Sequence, residues 1–137
     1  MDYMKWTPAL EVGFAKIDED HRELVAALNR LHLAMDLGKD KAELATVLNF
    51  LRDYTVSHFK TEEALMIQYG YPGAAAHFAA HATLVLKVCD FIVEFRAGRV
   101  ALTETLLEFL ETWLVGHILD KDHELGIYLR ARGVIAA

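Results

Sequence analysis

Five histidines and two carboxylates stand in four clusters along this chain: His21; His58 with Glu62; His77 with His81; and His117 with a following acid, either Asp120 or Asp122. A lone histidine on an apolar helix face is ordinarily a core residue with one hydrogen-bonded partner. Five with two acids ask for another explanation. At about 100° per residue, helical positions four apart lie within about 40° of each other, so His58 and Glu62 point one way, as do His77 and His81. All of them share the faces that carry leucines and valines, so they point inward, where unpaired imidazole and carboxylate are costly to bury. Metal coordination compensates several at once, because neutral imidazole gives its lone pair and carboxylate gives charge.

The donor types restrict the metal. Cys89 is the only cysteine, which excludes an internal disulfide, a CxxC redox pair, a c-type haem attachment and an iron-sulfur cluster; it reads as a thiol at the border of a buried helix face. With nitrogen and oxygen donors and no thiolate, iron, manganese, cobalt or zinc fit. Seven donors exceed one tetrahedral zinc site. Two ions sharing the carboxylates as bridges use all seven and leave an open position on the ion with fewer histidines. A ferritin-like centre takes Glu-x-x-His pairs, yet none of the eleven glutamates is followed by histidine three residues later. The His-Glu-x-x-His helix of zinc proteases is absent too. His32 and His123 are left over and are expected at the surface or behind the ligands.

The elements that must position these donors are helical. Apolar residues recur with a period near 3.6 and the only prolines are Pro8 and Pro72, so the class is all-α. After an irregular arm over residues 1–17, anchored by Trp6, Phe14 and Ile17, Asp18 or Asp20 is placed to cap a first helix that Gly38 ends. Asp40 with Glu43 resembles a capping box and opens a second helix, carrying His58, Glu62 and Leu65 on one face until Gly70. Tyr71-Pro72-Gly73 is a turn, and a third helix with His77 and His81 runs to Gly98. Thr103 opens a fourth, with Leu106, Leu110, Trp113, Leu114 and His117 in phase. Four amphipathic helices with short connections pack up-down-up-down as a four-helix bundle.

At 137 residues the chain, 1–137, is expected to be one domain, large enough to bury a core without disulfides. Net charge is -6 with no Lys/Arg stripe, which argues against nucleic acid or an anionic membrane surface as partner. No apolar run reaches the roughly 18 residues of a bilayer span and no leader pattern opens the chain, so no membrane insertion and a cytoplasmic location are expected.

The order His, His-x-x-x-Glu, His-x-x-x-His, His-x-x-x-x-Asp resembles hemerythrin, in particular the single-domain bacterial form. The likeness covers nearly the whole chain: Trp6, the run VGFAKIDEDH ending at His21, HFKTEE from His58, HFAAH from His77 to His81, and WLVGHILDKD from Trp113 through His117 to Asp122. It implies that His77, His81 and His117 bind one iron and His21 and His58 the second, with Glu62 and Asp122 bridging them beside a solvent-derived oxo or hydroxo group. It further implies end-on binding of dioxygen at the second iron, with Leu24, Phe59, Trp113 and Leu114 as pocket wall, in a non-enzymatic protein for oxygen carriage, storage, delivery or sensing. A monomer is expected, and no protein acceptor of the oxygen is identified. The competing readings are an enzyme that turns the same centre on peroxide or nitric oxide, and a structural metal bundle.

Pattern and helix geometry disagree at one point. On an undistorted helix Asp120 faces within about 60° of His117, whereas Asp122 is about 140° away. The family spacing selects Asp122, which requires the fourth helix to end or distort after His117, eased by Gly116 and followed by a short helix toward Leu129.

Overall fold

A computed structural model of the chain describes residues 3–102 and 104–134. Four long helices follow one another: α1 (Ala15–Asp36), α2 (Lys41–Gln68), α3 (Ala74–Arg96) and α4 (Glu104–His117). A short π-helical segment, Ile118–Asp122, leads without a break into α5 (His123–Ala131). Each connection between the long helices is only a few residues, so neighbours run antiparallel. Contacts of α1 with α2, α2 with α3, and α1 with α4 set the bundle around one core. That core includes Leu24, Leu28, Leu31, Leu48, Leu107, Ile118, Leu125 and Leu129.

The stops lie where the glycines do. Gly38, Gly70 and Gly98 have φ of 65°, 61° and 78°, a left-handed conformation that a Cβ disfavours, and each follows the last turn of its helix. Asp40 caps α2 by accepting the Glu43 amide at 2.9 Å. Thr103, the expected opener of α4, lies outside the described residues.

The start of α1 corrects the sequence reading. The helix begins at Ala15 rather than after Ile17, and neither Asp18 nor Asp20 caps it. Asp18 turns back onto the arm instead, accepting the amides of Val12 at 2.7 Å and Gly13 at 3.2 Å. The arm is held further along as well. Asn29 grips Met4 from both sides, accepting its amide at 2.7 Å and donating to its carbonyl at 2.8 Å. Phe14 and Ile17 are buried, and Arg22 lies over the Trp6 ring at 5.0 Å. The arm passes beneath α5, where Gly126 meets Val12 so closely that a Cβ would overlap the Val12 carbonyl oxygen. At the other side of α5, Tyr128 donates its hydroxyl to the Tyr69 carbonyl at 2.7 Å and so ties the end of α2.

Candidate metal centre

Every donor singled out in the sequence arrives in one buried place. α1 supplies His21, α2 supplies His58 and Glu62, α3 supplies His77 and His81, α4 ends on His117, and the π-helical segment ends on Asp122. All seven are buried, with Glu62 at 0% exposure and His117, the most open, at 8%. The i, i+4 spacing aligns each pair on its helix, and bundle packing brings the four helices to a common centre.

The Nε2 atoms of the histidines converge on the two carboxylates. Glu62 Oε2 lies 2.9 Å from His58 and 3.4 Å from His21, while its Oε1 lies 3.1 Å from His81 and 3.3 Å from His77. Asp122 Oδ1 lies 2.9 Å from His77 and 3.2 Å from His117, and its Oδ2 lies 2.9 Å from His21. Each carboxylate thus turns one oxygen to the trio His77, His81, His117 and the other toward the pair His21, His58. The donors accordingly form two groups that share Glu62 and Asp122, with all ligand atoms inside each group within 4.8 Å of one another.

These contacts are convergent rather than hydrogen-bonded. Both oxygens of Glu62, both of Asp122, His21 Nε2 and His58 Nε2 are buried with no aligned hydrogen-bond partner. Leaving that many polar atoms buried and unpaired would cost about 1–3 kcal/mol apiece, which a folded domain does not sustain. Cations between the nitrogens and oxygens remove the cost, so the residues fit a metal pair. Three further described groups, His32, Asp36 and Glu104, lie together at the surface, but the two acids are exposed and His32 is only partly covered.

Asp122 reaches this centre through the π-helical turn. A turn widened from i→i+4 to i→i+5 returns the fifth residue, not the fourth, beneath the first. Asp122 therefore sits under His117, while Asp120 is exposed and pairs with Lys121 at 3.9 Å. A Cβ on Gly116 would meet open space, so the distortion does not depend on close approach at that glycine.

A layer of aromatic and acidic groups fixes the imidazoles. Phe59 stacks on His81 with centroids 3.7 Å apart and planes at 4°, and Trp113 stacks on His117 at 4.4 Å and 13°. Behind the ligands, His58 Nδ1–H donates to Asp20 Oδ2 at 2.9 Å and His81 Nδ1–H donates to Glu63 Oε2 at 3.0 Å. The sequence reading did not anticipate either acid. In the sequence Asp20 reads as one of two candidate caps of the first helix, with Asp18, and Glu63 lies in the run HFKTEE with no role assigned. His123, half-buried beside Asp122, keeps a buried Nε2 with no partner.

The metal-free cluster holds protons. Burial alone would lower the His58 pKa, but the Glu62 charge and the hydrogen bond to Asp20 push it up to about 10. Burial alone would lower His77 too, but the carboxylates of Asp122 and Glu62, at 2.9 and 3.3 Å, raise it to about 9. Burial would raise Glu62, but the charge of the neighbouring His58, with His21 and His77 close by, holds it well below the usual carboxylate range.

Leu24, Phe59, Trp113 and Leu114 all line one cavity, continued along the bundle axis by Leu28, Leu51, Leu84, Val88 and Leu110. Thr55 lines it too, and its hydroxyl donates to the Leu51 carbonyl at 2.7 Å. The cavity volume is about 40 Å³, a few times what one water needs. It adjoins the ligands through the Phe59 and Trp113 rings.

Comparisons with known proteins agree with this geometry. Residues 12–127 match the family model described as the hemerythrin HHE cation binding domain. The chain is 37% identical over 134 residues to a bacteriohemerythrin of Methylococcus capsulatus, covering 96% of this chain and 100% of that protein. It is 34% identical over 131 residues to a bacteriohemerythrin of Stenotrophomonas maltophilia, covering 96% and 84%. The crystal structure of a wild-type hemerythrin superposes with a TM-score of 0.87 at 34% identity, covering 93% of this chain and 98% of that one.

Proposed function

This chain belongs to the hemerythrin family, and from that premise we propose that it holds two iron ions and binds dioxygen reversibly without turning it over. The observation that carries the reading is the three-and-two division of the histidines around two shared carboxylates. His77, His81 and His117 would hold one ion and His21 and His58 the other, with Glu62 and Asp122 shared between the two. The pair supplies one donor fewer than the trio, so the ion at His21 and His58 has room for an added ligand.

When bound, two ferrous ions supply the electrons that dioxygen accepts on binding. The chain itself does the remaining work. The stacked rings of Phe59 and Trp113 hold His81 and His117 in place, so little reorganisation accompanies a change of charge at the centre. Leu24, Phe59, Trp113 and Leu114 keep the space beside the ligands apolar, which favours a small neutral molecule over water. Among the described residues the cavity wall carries no acid or base, so it offers no general acid for cleaving the bound molecule. That supports binding over peroxide or nitric oxide chemistry. No helix among the described residues is long and apolar enough to cross a membrane.

Iron analysis combined with absorption spectra under air and under argon tests the reading. Two irons per chain and a visible band that comes and goes with the gas are expected. A colourless protein, or a band that never returns, would reject it.

A further inference from the structure

The imidazoles differ in what stands behind them. His21 Nδ1 and His77 Nδ1 are buried without partners, and His81 Nδ1–H meets Glu63, whose side chain is 30% exposed. His58 Nδ1–H meets Asp20, which is 3% exposed and held from its other side. Lys16 Nζ donates to Asp20 Oδ1 at 2.9 Å and the Tyr54 hydroxyl donates to the same oxygen at 3.2 Å. With Oδ1 occupied twice, Oδ2 is left for His58. Four residues from two helices thus form a chain, Lys16 and Tyr54 to Asp20 to His58, and Asp20 comes one residue before the ligand His21.

We propose that Asp20 is a positioning residue for the two-histidine ion: it fixes His58 in the tautomer whose Nε2 is free for metal, strengthens that imidazole as a donor, and thereby tightens oxygen binding. The proposal rests on the di-iron reading for its oxygen term. The physical basis is general. An anionic acceptor on the remote imidazole N–H sets the tautomer and ring orientation and raises the basicity of the metal-bound nitrogen. A more basic donor favours the higher oxidation state, and the ion concerned is the one with room for a further ligand. Lys16 and Tyr54 moderate the effect, because each bond they make to Oδ1 draws charge away from Oδ2.

Two variants separate this role from packing. In Asp20→Asn the single side-chain oxygen must serve Lys16 and Tyr54, so the amide NH2 faces His58 Nδ1 and favours the wrong tautomer. Tyr54→Phe does the opposite, leaving more charge on Asp20. Asp20→Asn is expected to weaken oxygen binding tenfold or more, and Tyr54→Phe to strengthen it two- to threefold. A purely structural contribution would weaken binding in both, and that result, or no change in either, overturns the proposal. Imidazole NMR of the zinc-loaded protein supplies a readout independent of iron and oxygen. The downfield Nδ1–H signal of His58 should vanish in Asp20→Asn while that of His81, bonded to Glu63, persists. If His58 keeps its signal in Asp20→Asn, Asp20 does not set the tautomer and the proposal fails even though the oxygen reading stands. If the native protein binds no oxygen, the oxygen reading fails and the NMR result alone decides the tautomer role.

Discussion

Asp122 Oδ1 lies 3.2 Å from His117 Nε2, although the two stand five positions apart along an uninterrupted run of helix. Regular α-helical geometry would set the acid about 140° away. The widened turn Ile118–Asp122 cancels that angle and closes the metal centre from below. Asp122→Ala is therefore expected to lose at least one of the two metals, while Asp120→Ala keeps both. Metal analysis of the two purified variants checks this, and full loading of Asp122→Ala would refute the assignment.

A π turn is an α-helix with one residue inserted. Deleting the exposed Leu119 should restore regular helix, place the acid four residues after His117, and preserve the packing of α5. The expected outcome is a protein that still takes up two metals per chain. Loss of metal in this deletion would mean that the wide turn shapes the site in some further way.

Glu62 faces all of the pair and two of the trio, so its removal should be worse than that of any single histidine. Glu62→Ala is expected to hold no stable metal pair, whereas His77→Ala keeps a residual ion at His21 and His58. Native mass spectrometry distinguishes the two losses; a Glu62→Ala protein that retains both ions would contradict the shared-carboxylate geometry.

Metal uptake should release protons. In the metal-free chain His58 and His77 titrate near 10 and 9, against 6.5 unperturbed, so both are protonated at pH 7 and both must lose the proton to bind. Zinc added at pH 7 is expected to displace at least these two protons, and apparent affinity should climb with pH until it levels off above about 10. Folding linkage has the matching sign. These raised values stabilise the metal-free fold fully below about pH 6.5, and the contribution disappears as pH rises through 9 and 10. Proton release followed with an indicator dye, and denaturation midpoints of the metal-free protein across pH, check both; pH-independent uptake would count against them.

Leu114→Ala opens the apolar cavity beside the ligands. Leu114 is only partly buried, so the stability cost should stay below about 2 kcal/mol, with both irons retained. Water gains entry, and oxidation of the oxygenated form should quicken several-fold. An unchanged lifetime of that form would remove Leu114 from the pocket.

The helices and their inward faces were legible because periodicity reports burial directly, and Gly38, Gly70 and Gly98 end their helices where a left-handed residue is needed. Six of the seven donors, all but Asp122, were legible for the same reason: each sits in phase with leucines. What was missed has no such phase. Asp18 has the type and place of a helix cap, and nothing in a one-dimensional pattern says that its carboxylate turns back to the amides of Val12 and Gly13. Asp20 is about 100° around the helix from His21, and its partner His58 is 38 residues away. Gly126 is dictated by the arm crossing it, a contact between segments more than a hundred residues apart. The turn to Asp122 was foreseen only by likeness to the family, since wheel geometry preferred Asp120.

Oxygen uptake by the reduced, two-iron protein decides whether the centre binds dioxygen reversibly. Titration under anaerobic conditions should consume one dioxygen per iron pair, and sparging with argon should return it over repeated cycles, while the zinc-loaded protein takes up none. Continued consumption without recovery, or no uptake at two irons per chain, would mean that the centre is not a reversible oxygen binder.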